Sequence, residues 1–406
     1  MRRSPPILAL SVGLLSMACT AEPKLGSGDN APTSLGDSTS EILAVAVTVP
    51  GEPLPGLENK QRQVFDQGVQ VFATPFTAAT GLGPLFNSNS CASCHDDPAL
   101  GGYGDSVEVH VTAYHPGAAC NVLSANGGPV VQQHVTPELA AALGISKEPT
   151  PAGATATALR STPLIFGLGL MDAVSDRTIR ALSRIRYRDG VHGRPAILPD
   201  GRVGRFGRKA SVASLDEFNA GAFFNEMGVT NPLNPVEGTV AGQPLLPGVD
   251  LAPDPELDAA SLTATNTFVK LLGPVSPAAL TPDTHFGRAL FYQVGCTNCH
   301  LPVLRTDFSP IPALRYRWFR AYTDLLLHDM GPDNADICNG VATPSEFRTQ
   351  PLIGMQFLDM FMHDGLATTV QEAIQRHGGE GSAARDKYNA LDQRGQAALV
   401  AFVRSL

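Results

Sequence analysis

Apolar residues recur at the spacing of an amphipathic helix in four segments of the chain. These segments are residues 59–72, 284–295, 367–379 and 391–406. In each of them many apolar positions lie three or four residues apart, so that one face of a helix is apolar and can pack against a core. The pattern therefore predicts a protein whose core is built mainly from helices.

Turn and loop residues separate these segments. Thr369 and Glu372 have the spacing of a capping box and predict the start of the third helix, and Gly378 follows its end. Residues 106–114 alternate between apolar and polar side chains, as in a strand of a β-hairpin. With 40 glycines and 33 prolines much of the chain must be loop, and the Gly/Pro-rich stretch 189–248 has no regular pattern. We expect a mainly α fold with loop-rich insertions.

The pattern Cys-x-x-Cys-His occurs twice, and the second copy begins 205 residues after the first. The copies consist of Cys91, Cys94 and His95, and of Cys296, Cys299 and His300. In an exported protein this pattern is the attachment signal of a c-type haem, in which the thiols bond the porphyrin and the histidine binds the iron. A zinc ribbon usually brings its cysteine pairs closer together, and a redox dithiol does not need the histidine. The sequence thus predicts two covalently bound haem c groups with His95 and His300 as iron ligands.

The N-terminal residues have the features of an export signal. Arg2 and Arg3 precede an apolar stretch too short to cross a bilayer, and Cys19 follows that stretch. Residues 1–19 resemble a bacterial lipoprotein signal with Cys19 as the lipidated residue, and residues 20–50 are expected to form a flexible tether. We expect the protein in the periplasm, either free or anchored to the outer membrane through Cys19.

Cys120 and Cys338 have no place in the signal or in the haem motifs. An oxidising compartment would allow a disulfide between them, and two buried free thiols are an equal alternative. The formal net charge of −9 disfavours nucleic acid as a partner and favours a small substrate or a basic redox protein.

A second repeat follows each haem motif. Arg160 and Arg348 both begin the pattern Arg-x-x-Pro-Leu-Ile, which continues into apolar residues and an aspartate. An amphipathic segment also precedes each haem motif, as expected for the opening helix of a cytochrome c-like unit. We therefore expect two tandem cytochrome c-like domains, residues 51–255 and 256–406, with the boundary in the Pro-rich stretch 247–255.

The function depends on the sixth ligand of each iron, because only an open iron can bind peroxide or dioxygen. His363 and His377 are available in the second half, and the equivalent positions of the first half, counted from the repeated proline, are Ser175 and Asp189. The first iron thus lacks an equivalent ligand. Other candidates for that position are His110, His115, His134 and Met171.

Seven segments occur in this order: "GLGPLFNSNSCASCHDDPA", "FGLGLMDAV", "NEMGVTNP", "FGRALFYQVGCTNC", "YTDLLLHDMGP", "FMHDGLATTVQEAIQRHGGE" and "ALVAFVRSL". Together they resemble bacterial di-haem oxidoreductases, a family related to the di-haem cytochrome c peroxidases and to the di-haem enzyme that matures methylamine dehydrogenase. The resemblance runs from about Pro53 to Leu406. It implies two mainly helical cytochrome c-like domains whose haems face the interface between them.

The resemblance also implies roles for individual residues. In the di-haem peroxidases a methionine, 14 residues after the histidine of an H-x-G motif, is the distal ligand of the second haem; here that histidine is His363, and His377 replaces the methionine. The first haem is the peroxide site of those enzymes, and an acidic residue after the repeated arginine motif acts there as acid/base, which points to Asp172. The family pattern often has tryptophan after "GRFG", where this chain has Arg208.

The favoured function is reduction of hydrogen peroxide at the first haem, with electrons from a small redox protein relayed through the second. Two alternatives keep the same haems: oxidation of a residue on a partner protein, and a non-enzymatic electron-transfer cytochrome. Arg160 and Arg348 are candidates for pairing with haem propionates, because a guanidinium group matches the geometry of a carboxylate. His328 is a candidate for shaping the second site, and Trp318, the single tryptophan, is a candidate electron relay.

Overall fold

Ten α-helices and thirteen short β-strands make up the regular structure of residues 44–406, which are the residues that the computed structural model describes. The helices are α1 (Asn59–Ala73), α2 (Pro137–Leu143), α3 (Leu168–Asp172), α4 (Asp176–Leu182), α5 (Leu215–Met227), α6 (Ala259–Leu271), α7 (Pro282–Val294), α8 (Val370–Gln375), α9 (Ser382–Asn389) and α10 (Gln393–Arg404). The strands are β1 (Leu85–Phe86), β2 (Val107–Thr112), β3 (Val130–Val131), β4 (His134–Val135), β5 (Ala156–Ser161), β6 (Ala196–Ile197), β7 (Val203–Gly204), β8 (Thr239–Val240), β9 (Gln243–Pro244), β10 (Val303–Arg305), β11 (Trp318–Arg320), β12 (Leu327–Asp329) and β13 (Glu346–Arg348).

Helices are the larger elements, but they do not dominate the chain. Over the described residues 32% are helical and 15% are in strands or bridges, so the prediction of a mainly α fold is confirmed only in part. The predicted signal, with Cys19, and residues 20–43 of the predicted tether lie outside the described residues. Within residues 44–406, no helix combines the length and the apolar character that a membrane span requires.

Helices α1 and α6 cross closely and form the core of the first half. Gly68 of α1 lies at the crossing, where an added Cβ would be 2.1 Å from the carbonyl oxygen of Ala264. Phe65 and Phe72 of α1 contact Phe268 of α6, with ring centres 5.2 and 4.9 Å apart. The helix that follows the predicted boundary at residue 255 therefore packs on the first helix of the described chain.

Helices α7 and α10 repeat this arrangement in the second half. Gly287 of α7 lies at their crossing, where an added Cβ would be 1.9 Å from the carbonyl oxygen of Ala398. Phe291 and Phe402 pack edge to face across the same pair, with ring centres 5.5 Å apart. The four helices predicted from the apolar spacing are confirmed, and the capping box at Thr369 is present at the start of α8.

Strand β2 confirms the strand that was predicted at residues 106–114. It is the central strand of an antiparallel sheet with the order β3–β2–β5, in which Glu108 lies opposite Arg160. The other sheets have two strands each, and β12 pairs with β13, which ends at Arg348. Each copy of the Arg-x-x-Pro-Leu-Ile motif thus starts at or near the C-terminal end of a strand.

The two halves meet along the segment around Arg208. Its carbonyl oxygen accepts the backbone N–H of Arg348 at 2.9 Å, and its guanidinium group donates to the backbone and side-chain oxygens of Ser161. A disulfide between Cys120 and Cys338, with Cα atoms 5.7 Å apart, also joins the two halves. The sequence left open whether these two cysteines are paired or free, and in the structure they are paired.

Candidate haem sites

The second Cys-x-x-Cys-His motif lies in a tight turn directly after α7. Gly295 ends the helix with φ of 96°, in the left-handed region that favours glycine, and a short 3₁₀ turn over Cys296–Asn298 follows. The backbone N–H of His300 bonds to the carbonyl oxygen of Cys296 at 2.9 Å. This turn directs Cys296, Cys299 and His300 into one cavity of about 250 Å³.

His377 lines the same cavity and faces His300. The centres of the two imidazole rings are 6.4 Å apart and their planes are inclined by 53°. Nδ1 of His300 bonds to the carbonyl oxygen of Tyr322 at 3.0 Å, and Nδ1 of His377 bonds to that of Ala373 at 2.7 Å. With Nδ1 held by the backbone in both rings, Nε2 is the nitrogen left for a ligand.

This arrangement fits a haem iron. Two imidazoles that bind one metal ion from opposite sides have ring centres about 6 Å apart, because a metal–nitrogen bond is about 2 Å long and each nitrogen lies about 1 Å from its ring centre. Burial, and for His300 the charge of His377, lower the pKa of both rings, that of His300 to about 4. Both are therefore neutral at neutral pH, the form in which histidine binds a metal. The cavity wall is largely apolar and includes Phe291, Val370 and Leu399, as a porphyrin ring requires.

The first Cys-x-x-Cys-His motif is held against the end of α1. The backbone N–H of Ala92 bonds to the carbonyl oxygen of Phe72 at 3.1 Å, and Nδ1 of His95 bonds to the carbonyl oxygen of Gly102 at 3.0 Å. The ring centre of His95 is 6.2 Å from that of Phe72. As at the second site, the backbone orients the imidazole so that Nε2 remains for a ligand.

The histidines considered as a second ligand for the first iron have other surroundings. His110 bonds through Nε2 to a carboxylate oxygen of Glu108 at 2.9 Å. His134 is exposed beside Phe86, and His115 is exposed. Met171 is buried in the core that Phe72 shares, and it also lines the cavity of the second site.

The four motif cysteines are free thiols, in contrast to Cys120 and Cys338. Burial raises the pKa of Cys91 and of Cys296 to about 12, and the charge of the second cysteine of each motif adds to the effect. Burial thus favours the protonated form of the thiol at Cys91 and at Cys296.

Asp172 is placed at the end of α3, where it holds other elements. Its carboxylate accepts the backbone N–H of Leu215 at 3.2 Å, at the start of α5, and lies 3.9 Å from Nζ of Lys270. Burial raises the pKa of Asp172, and Lys270 opposes this shift. The neighbouring Met171 lines the cavity, whereas Asp172 does not. The predicted acid/base role of Asp172 remains a prediction.

Glu108 is an acidic residue near the first site that the sequence analysis did not single out. Burial lowers the pKa of His95, and the charge of Glu108 opposes this shift. The same carboxylate raises the pKa of Glu226 further, which burial already raises. The alternating pattern of residues 106–114 could have identified it, since Glu108 and His110 lie two apart and therefore on one face of β2.

Three arginines lie where the two halves meet. Arg160 pairs with Asp336 at 2.5 Å, and only 8% of its side chain is exposed. Arg208 and Arg348 line the cavity and donate to carbonyl, hydroxyl and amide oxygens, among them those of Ser161 and Gln350. Burial, with repulsion from Arg348 and Arg160, lowers the pKa of Arg208 to about 9, and burial lowers that of Arg348 to about 10. A carboxylate in the cavity would relieve the repulsion between Arg208 and Arg348. Arg160 already pairs with Asp336, so Arg348 is the better supported propionate partner.

His328 lines the second site as a cation. Its Nε2 lies 2.9 Å from a carboxylate oxygen of Asp324, and its Nδ1 lies 2.8 Å from one of Glu380. Burial alone would lower the pKa of His328, but the hydrogen bonds to Asp324, Cys299 and Glu380 raise it well above its usual value. Both nitrogens are engaged, so the geometry favours the predicted site-shaping role over ligation.

Trp318 lies on the outer face of β11. Its ring is half-buried, and the guanidinium group of Arg305 lies 5.6 Å from the ring centre. The ring thus faces an exposed arginine, which gives no support to the predicted relay between the two haems.

Two Cys-x-x-Cys-His sites, each beside a crossed pair of helices, define a protein of the di-haem class. The sequence profile of the family described as "Di-haem oxidoreductase, putative peroxidase" matches residues 155–406. The match spans more than half of the chain, and the chain belongs to this family. The family implies two haem groups and an oxidoreductase activity.

Several solved structures are similar to this chain. The diheme peroxidase BthA from Burkholderia thailandensis E264 is 18% identical, with a TM-score of 0.40, over 89% of this chain and 90% of that one. A MauG-like protein associated with microbial copper homeostasis is 15% identical, with a TM-score of 0.37, over 87% of this chain and 92% of that one. Hydrazine synthase from Kuenenia stuttgartiensis is 14% identical, with a TM-score of 0.37, over 95% and 100%. No curated protein matches the chain.

Proposed function

We propose that this protein reduces hydrogen peroxide to two molecules of water. The reaction consumes two protons and two electrons, and the electrons enter through the second site. The observation that carries the proposal is the difference between the two sites. At the second site His300 and His377 face each other at the spacing of two ligands of one ion. At the first site the aromatic neighbour of His95 is Phe72, and no ring contact within residues 44–406 joins His95 to a second histidine.

Covalent attachment of both haems is part of this proposal. The support for it is that the turn after α7 brings Cys296, Cys299 and His300 into one largely apolar cavity, where the thiols could bond a porphyrin whose iron the histidine binds.

Haem iron supplies one-electron chemistry, and an iron with an open position can bind peroxide. The residues of the chain supply the rest of the site. His95 would hold the first haem and His300 with His377 the second, while Arg208 and Arg348 would neutralise propionates. The helix ends and backbone carbonyls that fix the imidazoles keep the two sites distinct.

Proton transfer at the first site requires a group that can both release and accept a proton. We assign this role to Glu108, because its carboxylate is joined to the imidazole of His110 at 2.9 Å and interacts with Glu226, which accepts the side-chain amide of Asn87 four residues before Cys91. Glu226, whose pKa burial raises, is a second proton-bearing group close enough to interact with Glu108. Asp172 is the alternative, and the two can be told apart by substitution.

Two cytochrome c-like domains remain part of the proposal, with the join moved toward the C-terminus. The pairs α1–α6 and α7–α10 each resemble the crossed terminal helices of one unit, which favours a join between Leu271 and Pro282 over the predicted position at 255. Export to the periplasm and lipidation of Cys19 are proposals that rest on the sequence alone.

Electron spin resonance of the oxidised holoprotein tests the proposed function. We expect one high-spin and one low-spin ferric signal, together with peroxide consumption that depends on a reductant. Two low-spin signals that persist after one-electron reduction and addition of peroxide would indicate an electron-transfer cytochrome instead. High-spin iron without peroxide turnover would favour oxidation of a partner protein.

A further inference from the structure

A group of arginines and aromatic residues covers one face of the hairpin that follows the second haem motif. Strands β10 and β11 pair antiparallel, with Arg305 opposite Trp318. Leu304 and Phe319 are buried under the hairpin, at 3% and 0% exposure. Because side chains alternate along a strand, Arg305, Trp318 and Arg320 point to the opposite, outer side.

The loop between the strands extends this outer face. Tyr316 is 50% exposed and Phe308 is 64% exposed. The guanidinium group of Arg305 lies 5.4 Å from the ring centre of Tyr316, and that of Arg315 lies 4.8 Å from the ring centre of Phe308. We call this surface the arginine–aromatic face; it consists of Arg305, Arg315, Tyr316, Trp318 and Arg320, with Phe308 at its edge.

The charge of this face is opposite to that of the chain. Residues 303–320 contain four arginines and one acidic residue, Asp307, in a chain of net charge −9. The Asp307 carboxylate accepts hydrogen bonds from the backbone N–H of Ser175 and the hydroxyl of Thr178, which occupy one of its oxygens. Arginine and aromatic side chains are enriched at protein interfaces, and exposed apolar area rimmed by polar residues marks interaction sites.

The arginine–aromatic face is joined directly to the second haem site. His300 lies three residues before β10, and the carbonyl oxygen that holds its Nδ1 belongs to Tyr322, two residues after β11. The backbone N–H groups of Ala321 and Tyr322 both bond to the carbonyl oxygen of Pro302. The base of the hairpin is therefore in direct contact with the proximal histidine, and a protein seated on the hairpin would dock beside the second site.

We propose that the arginine–aromatic face is the docking surface for a small redox protein with an acidic surface, which delivers electrons to the second haem. The inference rests on the proposed entry of electrons at that site. The net charge of the whole chain favours a basic partner, but attraction at short range depends on the residues in contact, and these are cationic. Aromatic side chains beside the arginines supply apolar area that an acidic redox protein can cover when it docks.

Charge reversal at this face tests the proposal. The variant Arg305→Glu/Arg320→Glu is compared with Lys147→Glu/Arg394→Glu, which makes the same change of charge at two exposed cationic residues elsewhere. The oxidised holoprotein is mixed in a stopped-flow instrument with a reduced monohaem cytochrome c of acidic surface, with one of basic surface, or with uncharged hydroquinone. Circular dichroism checks the fold of each variant.

We expect the acidic cytochrome to reduce the wild-type protein faster than the basic one at low salt, and this rate should fall as salt is added. The Arg305→Glu/Arg320→Glu variant should lose about tenfold or more of this rate, whereas the matched control and the rate with hydroquinone stay unchanged. Equal losses in both variants, or a wild-type rate that does not depend on salt, would overturn the proposal. Binding to vesicles of anionic phospholipid through the same arginines, with cytochrome kinetics unchanged, would assign the face to a membrane and also overturn it.

The same samples separate this inference from the proposed function. Peroxide turnover driven by hydroquinone does not use the arginine–aromatic face and should be equal in both variants. Absence of that turnover would refute peroxide reduction. If Arg305→Glu/Arg320→Glu still lowers the rate of reduction by the acidic cytochrome, the proposed docking surface remains supported.

Discussion

The imidazole rings of His300 and His377 face each other across one cavity, with their centres 6.4 Å apart and both Nδ1 atoms bonded to backbone carbonyl oxygens. This relationship fixes the second site as one that two histidines close from opposite sides. A site closed in this way is suited to passing electrons. We propose that the chemistry with peroxide takes place at the other iron.

Removal of His377 should therefore affect only one haem. We expect His377→Ala to convert one low-spin signal to high spin and to leave the other spectrum unchanged, because the loss of one imidazole opens the second iron. Optical and electron spin resonance spectra of the holoprotein measure this. His285→Ala, at an exposed histidine, is the control. If both spectra of His377→Ala match the wild type, the ligand assignment is wrong.

Substitutions can decide whether Glu108 or Asp172 is the acid/base at the first site. Glu108→Gln should slow peroxide turnover by about 10²–10⁴-fold, since the amide cannot transfer the proton. Asp172→Asn keeps an oxygen that can accept the N–H of Leu215, so we expect nearly wild-type turnover with a lower melting temperature from the lost charge beside Lys270. Steady-state peroxide consumption measures both. The reverse outcome, a slow Asp172→Asn and a normal Glu108→Gln, would return the role to Asp172.

The glycines at the two helix crossings should resist substitution. In Gly68→Ala and Gly287→Ala the new methyl group meets the carbonyl oxygens of Ala264 and Ala398 at 2.1 and 1.9 Å, and backbone atoms cannot move aside cheaply. Overpacking of this kind costs about 1–3 kcal/mol of the free energy of unfolding, and sometimes more. Chemical denaturation of the holoprotein measures the loss.

Gly221, inside α5, is the matched control for these two positions. Apart from the helix's own backbone, the nearest atom to a Cβ added there is Nδ2 of Asn225 at 3.7 Å, so Gly221→Ala should stabilise the protein by roughly 0.5–1 kcal/mol through its effect on helix propensity. Wild-type stability in Gly68→Ala or Gly287→Ala would show that the helices do not cross as closely as described.

A cluster of four carboxylates in the first half predicts a dependence of stability on pH. Oxygens of Glu237, Asp250, Asp254 and Glu256 all lie within 4.8 Å of one another. Burial, with repulsion from the other three groups, raises the pKa of Glu237 to about 9. Between its ordinary value and pH 9 the folded state then holds a proton that the unfolded state releases, so stability should fall as the pH rises through this window.

The variant Glu237→Gln should weaken this dependence, because the amide stays neutral at every pH. Melting temperatures between pH 5 and pH 8, with a chelator present, measure the slope for the wild type and the variant. Asp333→Asn, at an exposed carboxylate, should keep the wild-type slope. An identical slope in Glu237→Gln would show that the raised pKa does not control stability in this range.

Local patterns allowed much of the frame to be predicted. The four amphipathic segments became helices, and residues 106–114 became a strand, because apolar spacing and capping residues act within a few positions of each other. The same patterns did not reveal that α6 packs on α1 across the predicted domain boundary. That contact depends on Gly68 meeting Ala264, some two hundred residues further along the chain.

The second site was easier to anticipate than the surroundings of the first. His300 belongs to a motif, and His377 could be proposed from its place in a family pattern. Glu108 and Arg208 carry no such motif, and their importance arises from contacts with residues far away in sequence, such as His95, Ser161 and Arg348. Asp172 was proposed from its place after the repeated arginine motif, whereas its contacts with Leu215 and Lys270 depend on how α3 packs against α5 and α6.

The amino-acid sequence alone determined the two Cys-x-x-Cys-His motifs, the duplicated arginine motif and most of the helices, since each depends on residues that are neighbours along the chain. The tertiary structure decided which groups meet: the pairing of Cys120 with Cys338, the facing of His300 and His377, and the gathering of cationic side chains on the β10–β11 hairpin. Contacts of this kind depend on how distant segments pack around a common core, and no local pattern specifies them.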